Sequence, residues 1–152
     1  MNQIGILGAG TWGTALARML ANKGERVTVW SAVGAEIDEL DARREHRNLP
    51  GVKFPDSITF TKDIKEACEN MDLTVFAVPS VYIRSTAAQA KPYIPADRLI
   101  VSVAKGLEPS TLLCMSEVIR EELSLPGGIV ALSGPTHAEE VAVAQGRHQS
   151  VR

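Results

Sequence analysis

Five short apolar runs punctuate the chain: QIGIL (3–7), RVTVW (26–30), LTVFAV (73–78), LIVSVA (99–104) and GIVAL (128–132). Each is too short for a typical helix and rich in β-branched or other apolar residues, so each predicts a strand. Their hydrophobicity is near-continuous rather than alternating, which predicts strands covered on both faces, as in a parallel sheet. SITFT (57–61) reads as a sixth, weaker strand. Helical patterns lie between the runs. One covers 14–23 and stops at Gly24, a good residue just past a helix end. A charged segment over 35–47 predicts a short exposed helix, followed by a loop around NLPGVKFPD. In DIKEACEN, Asp63 and Glu66 have capping-box spacing. Further helices are predicted over 81–90, running up to Pro92, and over 110–123, ending near Pro126. Strand–helix alternation with right-handed crossovers predicts a doubly wound α/β sheet with helices on both faces. Without repeats or a linker, one domain is expected over residues 1–152. The last residues, RHQSVR, read as a half-started strand, so a further domain is expected to follow.

The bulk numbers narrow the function classes. A chain of 152 residues with 45% hydrophobic and 22% charged residues predicts a soluble globular domain that buries roughly two-thirds of its unfolded surface. A net charge of −2 gives no electrostatic reason to expect nucleic acid or anionic membrane as a partner. No apolar run approaches the roughly 18 residues needed to span a bilayer. The chain enters a strand pattern at once, so no secretory signal is expected and the reading is cytoplasmic. Cys68 and Cys114 lack CxxC or Cys/His spacing and are expected as free thiols of a reducing compartment.

The chemistry concentrates first in GILGAGTWGTALARML (5–20), where Gly8-x-Gly10-x-x-Gly13 follows a strand and opens a helix. Gly8 permits the tight turn, Gly10 lets a pyrophosphate approach the backbone, and Gly13 lets the helix pack close to the strand. The N–H groups and positive dipole end of that helix would then face the diphosphate, as in a Rossmann-type dinucleotide site. A purely structural glycine turn is the alternative. Trp12, inside the turn, is read as lying beside the cofactor or as a core anchor of the helix start. An NAD-specific site would place Asp or Glu at the end of the second strand, about 20 residues on. Trp30, Ser31 and Ala32 stand there instead, with neither a carboxylate nor an arginine. Arg43 and Arg44 are too far along to claim, so NAD or NADP is expected with the preference open.

Ligands of open α/β sheets bind beyond the carboxyl ends of the strands. VSVAKGLEP places Lys105 there, where a cationic amine would hold an oxyanion or a phosphate; a solvated lysine is the alternative. Pro79, in AVPSVYI, is read as a strand terminator. In LSGPTHAEEVA, Gly134 and Thr136 offer an amide and a hydroxyl to a ligand, whereas Glu139 and Glu140 are explained by the helix dipole. His137 has a pKa suited to proton transfer but is not assigned as a catalyst. His46, His137 and His148 lack companion ligands at metal spacing, so no metal is expected. No GxSxG elbow is present.

Together, GILGAGTWGTALA, VSVAKGLEP and LSGPTHAEEVA resemble the NAD(P)-dependent glycerol-3-phosphate dehydrogenases of bacteria, over residues 1 to about 146. The resemblance implies hydride transfer between NAD(P)H and C2 of dihydroxyacetone phosphate, giving sn-glycerol 3-phosphate for phospholipid synthesis. It implies cofactor contacts from Gly8, Gly10, Thr11, Trp12, Gly13, Ser31 and Ala138. Lys105 would face both nicotinamide and substrate as the catalytic lysine of this part, and Gly134 and Thr136 would meet the substrate. Ser31 and Ala32 stand where bacterial members carry a basic residue, and His137 where Phe is common. The resemblance also implies a helical second domain supplying the general acid/base, a homodimer as one expectation for the full-length protein, and negligible turnover by this part alone. Two other readings are an N-terminal half of a hydroxy-acid or sugar-acid dehydrogenase, and a stand-alone dinucleotide-sensing module.

Overall fold

The computed structural model describes residues 1–133 and 138–143. Six strands, β1 (Gln3–Leu7), β2 (Arg26–Trp30), β3 (Ile58–Thr61), β4 (Leu73–Phe76), β5 (Leu99–Ser102) and β6 (Ile129–Ala131), form one sheet. Its order is β3-β2-β1-β4-β5-β6, with every neighbouring pair parallel. This is the doubly wound Rossmann order, with the chain reversing direction between β1 and β4. Helices α1 (Thr11–Asn22), α2 (Gly34–Arg43), α3 (Ile83–Ala90), α4 (Met115–Leu123) and α5 (Ala138–Val143) complete it.

Both faces of the sheet are buried, the cause of the near-continuous apolar runs. Ile4, Ile6, Val27, Val29 and Val75 pack with Ala15, Leu16 and Ala17 of α1 and with Ile37 and Leu40 of α2. Leu7, Trp30, Phe76 and Ile100 pack in a second cluster with Ile83 and Ala87 of α3 and Val118 and Ile119 of α4. Helix α1 ends as its sequence predicts. Gly24 takes φ +92°, and its N–H and that of Glu25 donate to Ala21 and Leu20, closing a Schellman motif.

Three expected helices change shape, each because a long-range contact claims a group the helix needs. The 63–70 segment forms turns rather than a helix. Glu66 accepts the hydroxyl of Thr61 instead of capping Asp63, while the buried Arg98 guanidinium donates to the Cys68 carbonyl at 2.7 Å and to Thr74 at 3.2 Å. The Ala67 carbonyl lies so close to Gly5 that a Cβ there would overlap it. Helix α2 stops at Arg43, short of residue 47. Arg44 turns to φ 55° and sends its guanidinium to the carbonyls of Pro55 and Ile58. The last of these helices, α4, starts at Met115 rather than near residue 110. Glu108, held by Arg84 at 2.7 and 2.8 Å, organises a turn over 108–113, and Glu117 then caps the Cys114 N–H at 2.9 Å. Cys68 and Cys114 are free thiols. No helix of the described residues is long and apolar enough to cross a membrane.

Strands β4 and β5 end two residues earlier than their apolar runs. The register explains why: Thr61, Trp30, Leu7, Phe76, Ser102 and Ala131 lie in one row across the sheet. Beyond that row one further hydrogen bond forms at each of several strands: Gly8 N–H to Trp30 O at 2.9 Å, Ala77 N–H to Leu7 O at 2.8 Å, Val103 N–H to Phe76 O at 3.1 Å and Leu132 N–H to Ser102 O at 2.8 Å. The chains then leave the sheet, and the space they leave is a mouth at the carboxyl edge.

Candidate functional site

The glycine turn forms the floor of that mouth. Gly8 takes φ +130°, a conformation open to glycine at little cost, and a Cβ there would lie 2.6–2.7 Å from the backbone of Ala77 and Val78. A Cβ on Gly13 would overlap the Gly8 carbonyl oxygen. Gly10 differs: nothing lies within 4 Å of its Cβ position, so its missing side chain opens space toward the cleft rather than relieving crowding. Gly10 stands at the N-terminus of α1, where no side chain caps the helix and no acidic residue occupies the first turn. Thr14 donates its N–H and hydroxyl back to the Gly10 carbonyl at 3.0 and 2.9 Å. The turn is therefore held in place, and among the described residues no side chain accepts from the amides of 11–13, an arrangement suited to an anion.

Two clefts flank the turn. One, of about 880 Å³, is lined by Thr11, Trp12, Asn48, Lys105, Ser133 and Ala138 among others. The chain thus brings together four of the residues singled out from three separate motifs: Thr11, Trp12, Lys105 and Ala138. The indole of Trp12 packs against the core while forming a wall of the cleft, so the two readings of this residue are compatible. Lys105 is exposed at the mouth. Arg84 ties α3 to the segment after Lys105 through Glu108 and to α4 through Glu122, at 2.7 Å each; the paired guanidinium and the Thr111 hydroxyl hold the Glu108 carboxyl down at about 2. Gly134, Thr136 and His137 lie outside the described residues, as does His148.

The second cleft, of about 450 Å³, lies on the α2 side and shares Thr11 and Asn48 with the first. Its walls include Gly10, Glu36, Glu39, Glu45, His46 and Arg47. Ser31 is buried beside it; its hydroxyl donates to Glu36 at 2.7 Å and accepts the Val33 N–H at 3.1 Å. Asn48 donates to the Thr11 hydroxyl at 3.1 Å and its own N–H goes to Nδ1 of His46 at 3.1 Å. Burial holds the His46 pKa below the ordinary imidazole value. Arg47 hydrogen-bonds Glu39 at 2.6 Å and holds that carboxyl below the usual range. Glu36 and Asn48 were not legible as site residues in sequence, because one belongs to a helix and the other to a loop with no motif of its own. Among the described residues, no three His, Cys, Asp or Glu side chains converge as a metal site.

The geometry of a glycine turn between two clefts is that of a dinucleotide fold, and the family comparison decides which one. Residues 3–148 match the family described as NAD-dependent glycerol-3-phosphate dehydrogenase N-terminus. The chain belongs to this family. Glycerol-3-phosphate dehydrogenase [NAD(P)+] 2 of Lactobacillus delbrueckii subsp. bulgaricus is 58% identical over 147 residues, covering 93% of this chain and 44% of that protein. Glycerol-3-phosphate dehydrogenase [NAD(P)+] of Agathobacter rectalis is 50% identical over 142 residues, covering 93% and 42%. The crystal structure of glycerol-3-phosphate dehydrogenase from Coxiella burnetii superposes with a TM-score of 0.85 at 37% identity, over 93% of this chain and 43% of that one. The chain therefore spans less than half the length of the glycerol-3-phosphate dehydrogenases it matches.

Proposed function

We propose that the chain binds NAD or NADP across its glycine turn and serves, within the whole protein, the interconversion of dihydroxyacetone phosphate and sn-glycerol 3-phosphate, a precursor of glycerophospholipids. The observation carrying this reading is the open space over Gly10 at a helix N-terminus without a side-chain cap, in a cleft that shares Thr11 and Asn48 with the one holding Lys105. The residues present fit the cofactor: the turn accepts a diphosphate, and the two clefts (about 880 and 450 Å³) are of the size that ligands of this class fill. Thr11 and Trp12 flank the dinucleotide, and Ala138 at the start of α5 adds a small, close wall. When bound, the nicotinamide supplies or accepts the hydride at C2.

The chain's own part is binding, orientation and charge. The Lys105 ammonium, at the mouth beyond β5, stabilises negative charge on the substrate's C2 oxygen or phosphate. Trp12, Leu16, Met19 and Val141 give the larger cleft an apolar side. Gly134 and Thr136 remain proposed substrate contacts, and Ser31 a proposed cofactor contact. The proton for the C2 oxygen and most of the phosphate grip are assigned to the remainder of the full-length protein, a helical domain, so this part alone turns over negligibly. The test is Lys105→Ala in the full-length enzyme: NADH affinity should change little while dihydroxyacetone phosphate reduction collapses by the 10²–10⁴-fold typical of a group acting in the transition state. Wild-type turnover would show the lysine to be solvated surface, and absence of any NAD(P)H oxidation with this substrate in the wild type would reject the reaction itself.

A further inference from the structure

The α2-side cleft carries a selectivity that the linear spacing hides. We propose that this site discriminates in favour of NAD and against NADP, with Glu36 as the specificity-determining residue; the inference rests on the dinucleotide reading above. In this fold the ribose-binding carboxylate stands at the carboxyl end of β2, where the chain has Ser31. Glu36, from the first turn of α2, fills that role from a distance. Its Oε2 accepts the Ser31 hydroxyl at 2.7 Å, which brings the carboxylate to the end of β2. Ser31 is itself buried and pinned by the Val33 N–H, so the carboxylate is anchored rather than swinging freely. Glu36 also lines the cleft that Gly10 and Thr11 enter, on the opposite side of the diphosphate turn from Lys105.

A carboxylate there accepts a hydrogen bond from a ribose 2′-hydroxyl and repels a 2′-phosphate. The surrounding cations do not reverse this. Arg47, the one arginine or lysine among the described residues lining the cleft, is engaged by Glu39 at 2.6 Å. Arg43 also faces Glu39, at 3.6 Å, and Lys62, beside Gly34, is paired with Asp38 at 2.7 Å. Glu39 and Glu45 are matched by Arg47 at 2.6 Å and Lys53 at 3.3 Å, which leaves Glu36 as the cleft carboxylate with no ion pair among the described residues. A phosphate dianion would meet the Glu36 charge and would have to break the Arg47–Glu39 pair to gain a partner.

The experiment is calorimetric titration of the full-length wild-type protein and of Glu36→Gln with NADH and with NADPH. NADH should bind the wild type at least about tenfold more tightly than NADPH, a difference of one decade in Kd. Glutamine keeps an acceptor for Ser31 but removes the charge, so NADPH affinity should rise, NADH affinity should fall, and the ratio should narrow about tenfold. Equal affinities in the wild type, or a preference for NADPH, overturn the proposal even if the variant fails to fold. An unchanged ratio in a folded Glu36→Gln protein overturns the role of Glu36. Failure of the wild type to bind either nucleotide overturns the dinucleotide reading and this proposal with it.

Discussion

Gly10 and Gly13 are both glycines of one motif, yet the structure assigns them opposite costs, and this separates folding from binding in a single comparison. At Gly10 the backbone is extended, φ −70° and ψ −177°, which any residue adopts. A Cβ there meets nothing within 4 Å. Alanine at this position gains about 0.4–1 kcal/mol by restricting the unfolded chain and loses a similar amount as a poorer helix N-cap than glycine. The folded protein should therefore keep its stability to within about 0.5 kcal/mol. Its dinucleotide affinity should not survive. A methyl carbon holds a phosphate oxygen at about 3.5–4.0 Å, whereas a charge-assisted N–H···O⁻ bond needs about 2.7–2.9 Å. The diphosphate is displaced by roughly 1 Å and loses at least one bond of about 1.5–3 kcal/mol, which is about 10–150-fold in Kd. Gly13→Ala places its methyl on the Gly8 carbonyl. Neither group is a flexible side-chain end, so α1 must move off β1 at a cost of about 1–3 kcal/mol. For a chain of this size that lowers Tm by roughly 2–12 °C. Thermal melts without ligand and NADH titrations of the two variants measure both quantities. A Gly10→Ala protein that binds NADH like the wild type, or one that melts as low as Gly13→Ala, would refute the assignment of the turn to a diphosphate.

Two further outcomes follow from buried groups. Burial pushes the Cys68 thiol up to about 12 and shields it completely, so a thiolate-directed reagent such as DTNB should leave Cys68 unmodified in the native protein and titrate it only after denaturant; modification of Cys68 at a native rate would show that the 63–70 segment opens. His46 has its pKa lowered by burial, so the folded state binds its proton less readily than the unfolded chain, and the stability associated with it is present above the ordinary value of 6.5 and lost as pH falls below it. Melting temperature should drop on acidification through that window, and more steeply than in a His46→Asn variant; parallel profiles would remove His46 as the cause.

The order of elements, the parallel sheet and the glycine turn could all be read from residue pattern, because each is enforced by neighbours in the chain. A strand covered on both faces must be apolar along its length, as QIGIL and RVTVW are, and a turn at φ +130° at Gly8 favours glycine whatever lies elsewhere. The position of Lys105 was also legible, since the fold rule sends every loop after a strand's carboxyl end to the same edge; the cleft there also contains Trp12, singled out from the glycine turn, and Ala138, expected only from the family resemblance. Helix ends were less legible. The chain stops α2 at Arg43 and delays α4 to Met115 because Arg44 and Glu108 are engaged by partners 14 and 24 residues away.

The make-up of the α2-side cleft was decided by tertiary structure alone. A residue-by-residue search along β2 finds Ser31 and Ala32 and no carboxylate; folding carries Glu36 back over α2's first turn to Ser31, and draws Asn48 across 37 residues to Thr11. Gly5 has the same character, since its lack of a side chain matters only once the Ala67 carbonyl has packed against β1. Periodicity records how a segment is solvated, and solvation is a local property averaged over a few residues. Which charge or hydroxyl meets which ligand atom depends on pairwise distances between segments, and those exist only after the sheet has closed its order.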